Sequence, residues 1–500
     1  MMKHLKLTVI MVLLGVILLA CSNQSSTEKI VEDTISEETN QENNSVKADS
    51  DGKVIFAIEA IEGQWQYSSD RVTRAWMYNG KLPGEEIRVN EGDEVELRFL
   101  NSLPEPTALH LHGLPIVNEM DGVPGITQSV IQPGEEFIYS FTATIPGTYW
   151  YHSHENSAEQ LFRGMYGAII IEENNKKEYA IDQVVFISEW SAMLEEMYDE
   201  TEQNGESHGN AHGASHASHG NGNSIELPHN EMMNEMYDTV VINGKAEADI
   251  SSFVVKEGDS NRLRFINSGL YTQTITIPNH EFKITHYDGQ PVNEPTFITN
   301  EILLIAPGER YDVEINLNNA GAWGIEIYAE ANEEKLYTIL PLVYEGYENE
   351  RLQINNEPLS TFDITKYGQS QQIERINNVT KEFEMILASN DGDDTFTING
   401  KKAPDLEVYE IEEGDVIKMT IRNNSRVDHP MHSHGHFFYV ISKNGAAVQG
   451  SPIFKDTLNI KPDETYEIVL IADNPGKWVF HCHELHHAES GMISLIDYAG

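Results

Sequence analysis

Cysteine is what this chain most nearly lacks: its 500 residues include two, Cys21 and Cys482. Cys21 closes an N-terminal apolar segment, so the body of the protein keeps Cys482 alone and a disulfide framework is excluded. Basic residues are scarce as well. With 33 Lys and Arg against 80 Asp and Glu, the formal net charge is −47, which argues against nucleic acid and anionic lipid surfaces as partners and suits the attraction of cations. Adaptation to salty or alkaline surroundings would produce the same excess. Beyond the first 20 residues no run is apolar enough to cross a bilayer.

What is present begins at the N-terminus. Lys3, His4 and Lys6 precede an apolar run from Leu7 to Leu19, the layout of a secretory signal over residues 1–20. Leu18-Leu19-Ala20-Cys21 directly before polar residues resembles a bacterial lipoprotein cleavage box. The expectation is therefore export, a lipid-modified Cys21 and anchorage to the outer face of the cell membrane. Residues 21–52 are polar, acidic and nearly free of large apolar groups, and read as a disordered tether.

The rest of the chain repeats itself. Glu91-Gly92-Asp93, Glu257-Gly258-Asp259 and Glu413-Gly414-Asp415 each open an alternating, strand-like run. Pro133-Gly134-Glu135, Pro307-Gly308-Glu309 and Pro462-Asp463-Glu464 do the same further on, and Gly147, Gly321 and Gly476 each precede an aromatic by two residues. Equivalent stations lie about 160 residues apart, which predicts three homologous domains over 53–175, 176–350 and 351–500. Short alternating strands between Gly and Pro turns indicate an all-β protein of antiparallel sandwiches.

Chemistry is unevenly shared among the repeats. His152-Ser153-His154 and His481-Cys482-His483 occupy the same place in repeats one and three, where repeat two has Glu326-Ile327-Tyr328. HLHG (His110 to Gly113) and HPMHSHGH (His429 to His436) likewise face TITIPNHEF in repeat two. Ligands on repeats one and three alone imply that these two meet and that the middle one spaces them. In an extended strand, His481 and His483 point one way and Cys482 the other. On the Cys482 side, His429, His487 and Met492 complete two imidazoles, a thiolate and a thioether, the set expected of a blue electron-transfer copper. On the other side, His110, His112, His152, His154, His432, His434, His481 and His483 offer imidazoles without thiolate, which suit several close copper ions. Zinc is the rival metal for Cys and His sets, but four paired His motifs are an odd way to hold structural zinc.

HLHG, HSH, HPMHSH and HCHxxxHxxxxM, in that order, resemble the multicopper oxidases over roughly residues 53–498. The resemblance implies three cupredoxin-like Greek-key sandwiches and four copper ions. It assigns type 1 copper to His429, Cys482, His487 and Met492, and type 2 copper to His110 and His432. The type 3 pair falls to His112, His152 and His483 on one ion and to His154, His434 and His481 on the other. It also implies coupling of one-electron oxidations to four-electron reduction of dioxygen to water. Asp121, in NEMDGVPG, matches an acidic residue of the family placed near the cluster for proton supply; read by itself it is a solvated turn Asp before Gly. Many bacterial members carry Glu after the last type 1 His, where this chain has Ala488, so Glu489 or Glu484 is expected to substitute or another proton route to operate.

The electron donor is the least legible part. An insert over 203–236 holds SHGNAHGASHASHGNGNS, with His208, His212, His216 and His219, followed by His229, Met232, Met233 and Met236. Such composition predicts a surface loop, and thioethers with imidazoles suit copper. The expected donor is accordingly cuprous ion, in copper tolerance. A laccase-like phenol oxidase and a copper-sequestering lipoprotein with incidental turnover are the alternatives. His280 and His286 read as polar packing or surface groups, and His436 and His486 as partners that orient ligands.

Overall fold

The computed structural model describes residues 47–48, 52–190, 237–331, 334–355, 357–389 and 395–498. Cys21, the signal segment and nearly all of the tether lie outside them, as does the 203–236 insert.

Glu94–Asn101 buries every second residue, so Val95, Leu97 and Phe99 face a core while Glu94, Glu96 and Arg98 do not. It pairs in parallel with Val54–Ser68 and antiparallel with Glu136–Thr142. The same neighbours recur twice. Asn261–Asn267 lies parallel to Ile181–Trp190 and antiparallel to Arg310–Ile315, and Val416–Asn423 lies parallel to Lys381–Ser389 and antiparallel to Thr465–Ile471. Each set is faced by a second sheet to make a sandwich, and the repeated sequence stations therefore occupy equivalent strands.

The second sheets carry the ligand motifs. Leu109–His112 pairs antiparallel with Gly147–Ser153, setting His110 opposite His152. His429–Ser433 pairs antiparallel with Lys477–Cys482, setting His432 opposite His481 and Met431 opposite Cys482. The middle sandwich continues past residue 350: Ser360–Thr361 pairs in parallel with Glu301–Ile305. Among the described residues helices are few and short, chiefly Ser157–Phe162 and Leu485–Glu489.

All three sandwiches touch one another. Asn118 Nδ2 donates to Lys477 O at 2.8 Å and Asn474 Nδ2 to Ile116 O at 2.9 Å, joining the first to the third. Arg264 of the middle sandwich donates to Thr148 Oγ1 at 2.7 Å in the first. Arg310 of the middle sandwich forms a buried bidentate pair with Asp456 of the third. This contact corrects one expectation: the middle repeat is no mere spacer, because its Gly308 lies against His483 and His112 and its Arg310 holds Asp456 beside the histidine cluster.

Candidate metal centre

Cys482 ends the strand Lys477–Cys482 and is fully buried in the core of the third sandwich. Two imidazoles turn toward its sulfur: His429 Nδ1 stands 3.7 Å and His487 Nδ1 3.6 Å from Sγ. Their outer nitrogens are held from behind, His429 Nε2 by Ser425 Oγ at 2.7 Å and His487 Nε2 by Glu484 Oε2 at 2.9 Å. Tethering the far nitrogen fixes which one faces a metal. Glu484 also caps the helix Leu485–Glu489 by accepting from the backbone N–H groups of His486 and His487, so the sequence from Glu484 to His487 is itself a positioning device. Met492 is buried beside them, its N–H bonded to His487 O at 3.0 Å and its carbonyl to Cys482 N at 3.1 Å. Burial pushes the Cys482 thiol well up, and the negative field of Glu484 adds to it. A cation is what would make the thiolate favourable there.

On the other side of the strand, eight imidazoles converge. The rings of His110 and His434 stack at 4.0 Å and those of His112 and His432 at 3.7 Å, each pair bridging the first and third sandwiches. His154, His434 and His481 can each bring one ring nitrogen within a common 4.8 Å span. His112, His152 and His483 form a looser triangle with centroids 5.0, 5.4 and 5.7 Å apart, and His110 groups with His112 and His152 as closely as with His432 and His434.

The rings are held in place from outside. His110, His152, His432 and His481 donate Nδ1–H to the carbonyls of Asp121, Ser153, Asp456 and Cys482 at 2.7, 2.8, 3.1 and 2.8 Å. His434 Nδ1 meets the Asp121 carboxylate at 3.0 Å.

The inward nitrogens test whether cations fit. Six of the eight histidines have a buried ring nitrogen with no hydrogen-bond partner, and the remaining two, His434 and His481, set their Nε2 atoms 3.0 Å apart. Buried polar atoms are seldom left so. Burial, then the neighbouring imidazoles, push His112, His152, His434, His481 and His483 well below the usual imidazole range and His154 down to about 3. Imidazole lone pairs aimed at one space, with the Asp121 and Asp456 carboxylates set against the opposite ring nitrogens of His434, His112 and His432, suit soft or borderline cations such as copper.

Asp121 is buried, 1% exposed, and no solvated turn residue. Its carbonyl holds His110 and its carboxylate holds His434. Of the two residues expected to substitute for Glu at position 488, Glu484 serves His487 at 2.9 Å and Glu489 accepts from Ala158 N at 2.8 Å. His436 Nδ1 donates to the His434 carbonyl at 3.1 Å, and its Nε2 accepts from Tyr498 OH at 2.6 Å. His486 meets Tyr237 OH at 3.5 Å and stacks on Phe162, and His280 is polar packing between Pro278 O and Tyr344 OH. Sequence reasoning missed Asp456 and Thr457, which contact His112 and His432, and Arg310 behind them. The signal that could have pointed there is Gly113, whose place directly after His112 marks a close approach.

A thiolate site and a polyhistidine cluster sharing one strand define a multinuclear metalloprotein. Family models described as multicopper oxidase match residues 60–176, 188–347 and 376–498, and the chain belongs to the multicopper oxidase family. It is similar to the multicopper oxidase MmcO of Mycobacterium tuberculosis, 29% identical over 430 residues covering 84% of this chain and 82% of that one. Copper resistance protein A of Escherichia coli is 24% identical, with 83% and 88% covered. The crystal structure of a multicopper oxidase from Pseudomonas thermotolerans superposes with a TM-score of 0.67 at 25% identity, covering 89% of this chain and 99% of that one. The fold is that of three cupredoxin-like domains. The chain is a copper-dependent oxidoreductase with dioxygen as acceptor, and members of its family bind one type 1, one type 2 and two type 3 coppers.

Proposed function

We propose that the physiological donor is cuprous ion and that the protein serves copper tolerance. The observation that carries this reading is where the His- and Met-bearing insert is rooted. Ile181–Trp190 and Thr239–Ile242 are paired neighbours, with Trp190 opposite Thr239, so the segment leaves and returns at one point. Trp190 and Tyr237 share a core with Leu485 and Phe162, and Tyr237 touches His486, the residue before His487. The described residues at the two ends of the insert therefore stand next to the cysteine-side site, at the end where a donor must deliver its electron. The name of the Escherichia coli relative, a copper resistance protein, is in keeping with this.

In the same proposal His429, Cys482, His487 and Met492 hold type 1 copper, and His110 and His432 hold type 2. His112, His152 and His483 hold one type 3 ion, and His154, His434 and His481 hold the other. Bound copper supplies one-electron redox chemistry and the four-electron reduction of dioxygen to water. The chain's part is to connect and to exclude. Backbone bonds from Cys482 to His481 and His483 give a covalent path between the two sites, and burial keeps bulk water from the imidazoles. Asp121, bonded to His434, supplies protons and holds two rings in register. Export and a lipid anchor on Cys21 would place this activity at the outer face of the cell membrane.

The test is dioxygen uptake by the copper-loaded protein with cuprous ion, ferrous ion and a simple phenol as donors at equal concentration, repeated after deletion of residues 205–223. Fastest uptake with cuprous ion, weakened by the deletion, supports the reading. Preference for the phenol or for ferrous ion overturns the donor assignment, and copper tolerance lost with uptake unchanged makes the insert a sequestering device.

A further inference from the structure

The middle sandwich holds none of the cluster histidines, yet it delivers two residues to them. Gly308, at φ +85°, lies flat against the cluster: a Cβ there would come within 2.9 Å of His483 Cγ and 3.3 Å of His112 Cε1. Arg310 is fully buried two residues on. Its side chain runs past Gly113, where a Cβ would fall on the guanidinium and 2.5 Å from Asp456 Oδ2. The two glycines are therefore the openings through which one arginine reaches the site.

Every N–H of that arginine is used, and the partners come from all three sandwiches. Nε donates to Thr148 O at 3.2 Å in the first. Nη1 and Nη2 donate to Gly308 O at 3.3 Å and Asp288 O at 3.1 Å in the middle one. The same two nitrogens clamp Asp456 Oδ1 at 2.6 Å and Oδ2 at 2.7 Å in the third. A planar fork on a carboxylate fixes orientation as well as charge.

The consequence passes down a chain of single protons. Asp456 Oδ1 is 2.8 Å from Thr457 Oγ1 and, held as a carboxylate, can only accept. Thr457 has one hydroxyl hydrogen, and Asp456 takes it. Thr457 Oγ1 must then accept, both from His432 Nδ1 at 3.1 Å and from His112 Nε2 at 3.3 Å. His112 consequently carries its proton on Nε2 and keeps its lone pair on Nδ1, the atom that has no partner in the structure. This is the reverse of His110, His152, His432 and His481, which give up Nδ1–H and keep Nε2 free.

We propose that Arg310 and Thr457 are positioning residues of the cluster: Arg310 orients Asp456, Asp456 fixes the Thr457 hydroxyl, and Thr457 selects the His112 tautomer that offers Nδ1 to copper. The proposal rests on the assignment of His112 as a ligand made above. It gives the middle sandwich a task in metal binding that its lost histidines conceal.

The experiment compares wild type, Thr457→Val, Thr457→Ser and Arg310→Lys as full-length copper-loaded proteins. Copper retained against a chelator is measured, together with the thiolate-to-copper blue absorption and the cupric EPR spectrum. Thr457→Val keeps the volume and removes the acceptor. It should hold cluster copper about 10–100-fold less tightly, with an altered EPR spectrum and an unchanged blue band, and Thr457→Ser should restore both. Arg310→Lys, which keeps the charge without the fork, should fall between. Cluster copper and EPR unchanged in Thr457→Val, or no recovery in Thr457→Ser, would overturn the proposal. Loss of the blue band along with the cluster would assign Thr457 to folding and overturn it equally. A wild type that binds no copper at the eight histidines would instead remove the ligand assignment itself, before any variant is compared.

Discussion

His429, Cys482, His487 and Met492 all belong to the third sandwich, three of them within eleven residues of chain from Cys482 to Met492. The eight histidines across the strand come from two sandwiches and are braced by Arg310 of the remaining one. One site is local and the other is assembled. The local site needs one core to fold and one helix cap to aim His487. The assembled site needs three domains in register, because Asp121 of the first sandwich holds His434 of the third, Thr457 of the third meets His112 of the first, and Arg310 of the middle one clamps Asp456. Damage to packing between sandwiches should therefore silence the cluster before it touches the thiolate site.

The strongest way to break the comparison is to remove the shared residue. Cys482→Ser should abolish the blue absorption and donor-driven dioxygen uptake, while copper per chain falls from four to three and cluster EPR persists. Loss of all copper would show that the two sites are not separately built.

Acid should separate them next. Burial holds His112, His152, His154, His432, His434, His481 and His483 below the usual imidazole range, His154 at about 3 against about 6.5 when unfolded. Between those values the unfolded chain binds more protons, so apoprotein stability falls as pH drops below about 6.5. Each histidine kept neutral contributes on the order of 1.4 kcal/mol per pH unit. Urea titrations of the apoprotein at pH 8 and pH 5 should show a loss of several kcal/mol at the lower pH; equal midpoints would contradict the burial of neutral rings.

A subtler break is Asp121→Asn, which can no longer accept at both oxygens from His434 and cannot carry a proton. Uptake should fall about 10–100-fold, most steeply toward high pH, with the blue band intact, as a pH–rate profile would reveal. The smallest effect is expected from Met492→Leu. Replacing the thioether by an apolar group should raise the type 1 potential in a redox titration and leave cluster copper unchanged.

The local site was legible because its ligands share one motif and its neighbours lie close in sequence. His481 and His483 were separable from Cys482 by strand alternation alone. The cluster histidines were legible as pairs, and the repeats predicted which sandwiches meet. Arg310, Asp456 and Thr457 were not, since their contacts with His112 arise at a junction of segments up to 345 residues apart and depend on side-chain direction, which spacing does not encode. The middle repeat looked like a spacer because its histidines are gone. What it kept was the Pro307-Gly308-Glu309 turn, conspicuous as a repeat station and silent about its target. Asp121 looked ambiguous for the converse reason: a turn Asp before Gly is ordinarily solvated, and only the approach of His434 from another sandwich buries it.

The measurement that bears most directly on this account is a copper count with EPR on the loaded wild-type protein. Four coppers per chain, two giving cupric EPR signals and two magnetically coupled and silent, are predicted by one thiolate site beside an eight-histidine cluster. A single copper at Cys482 with none at the histidines would contradict it.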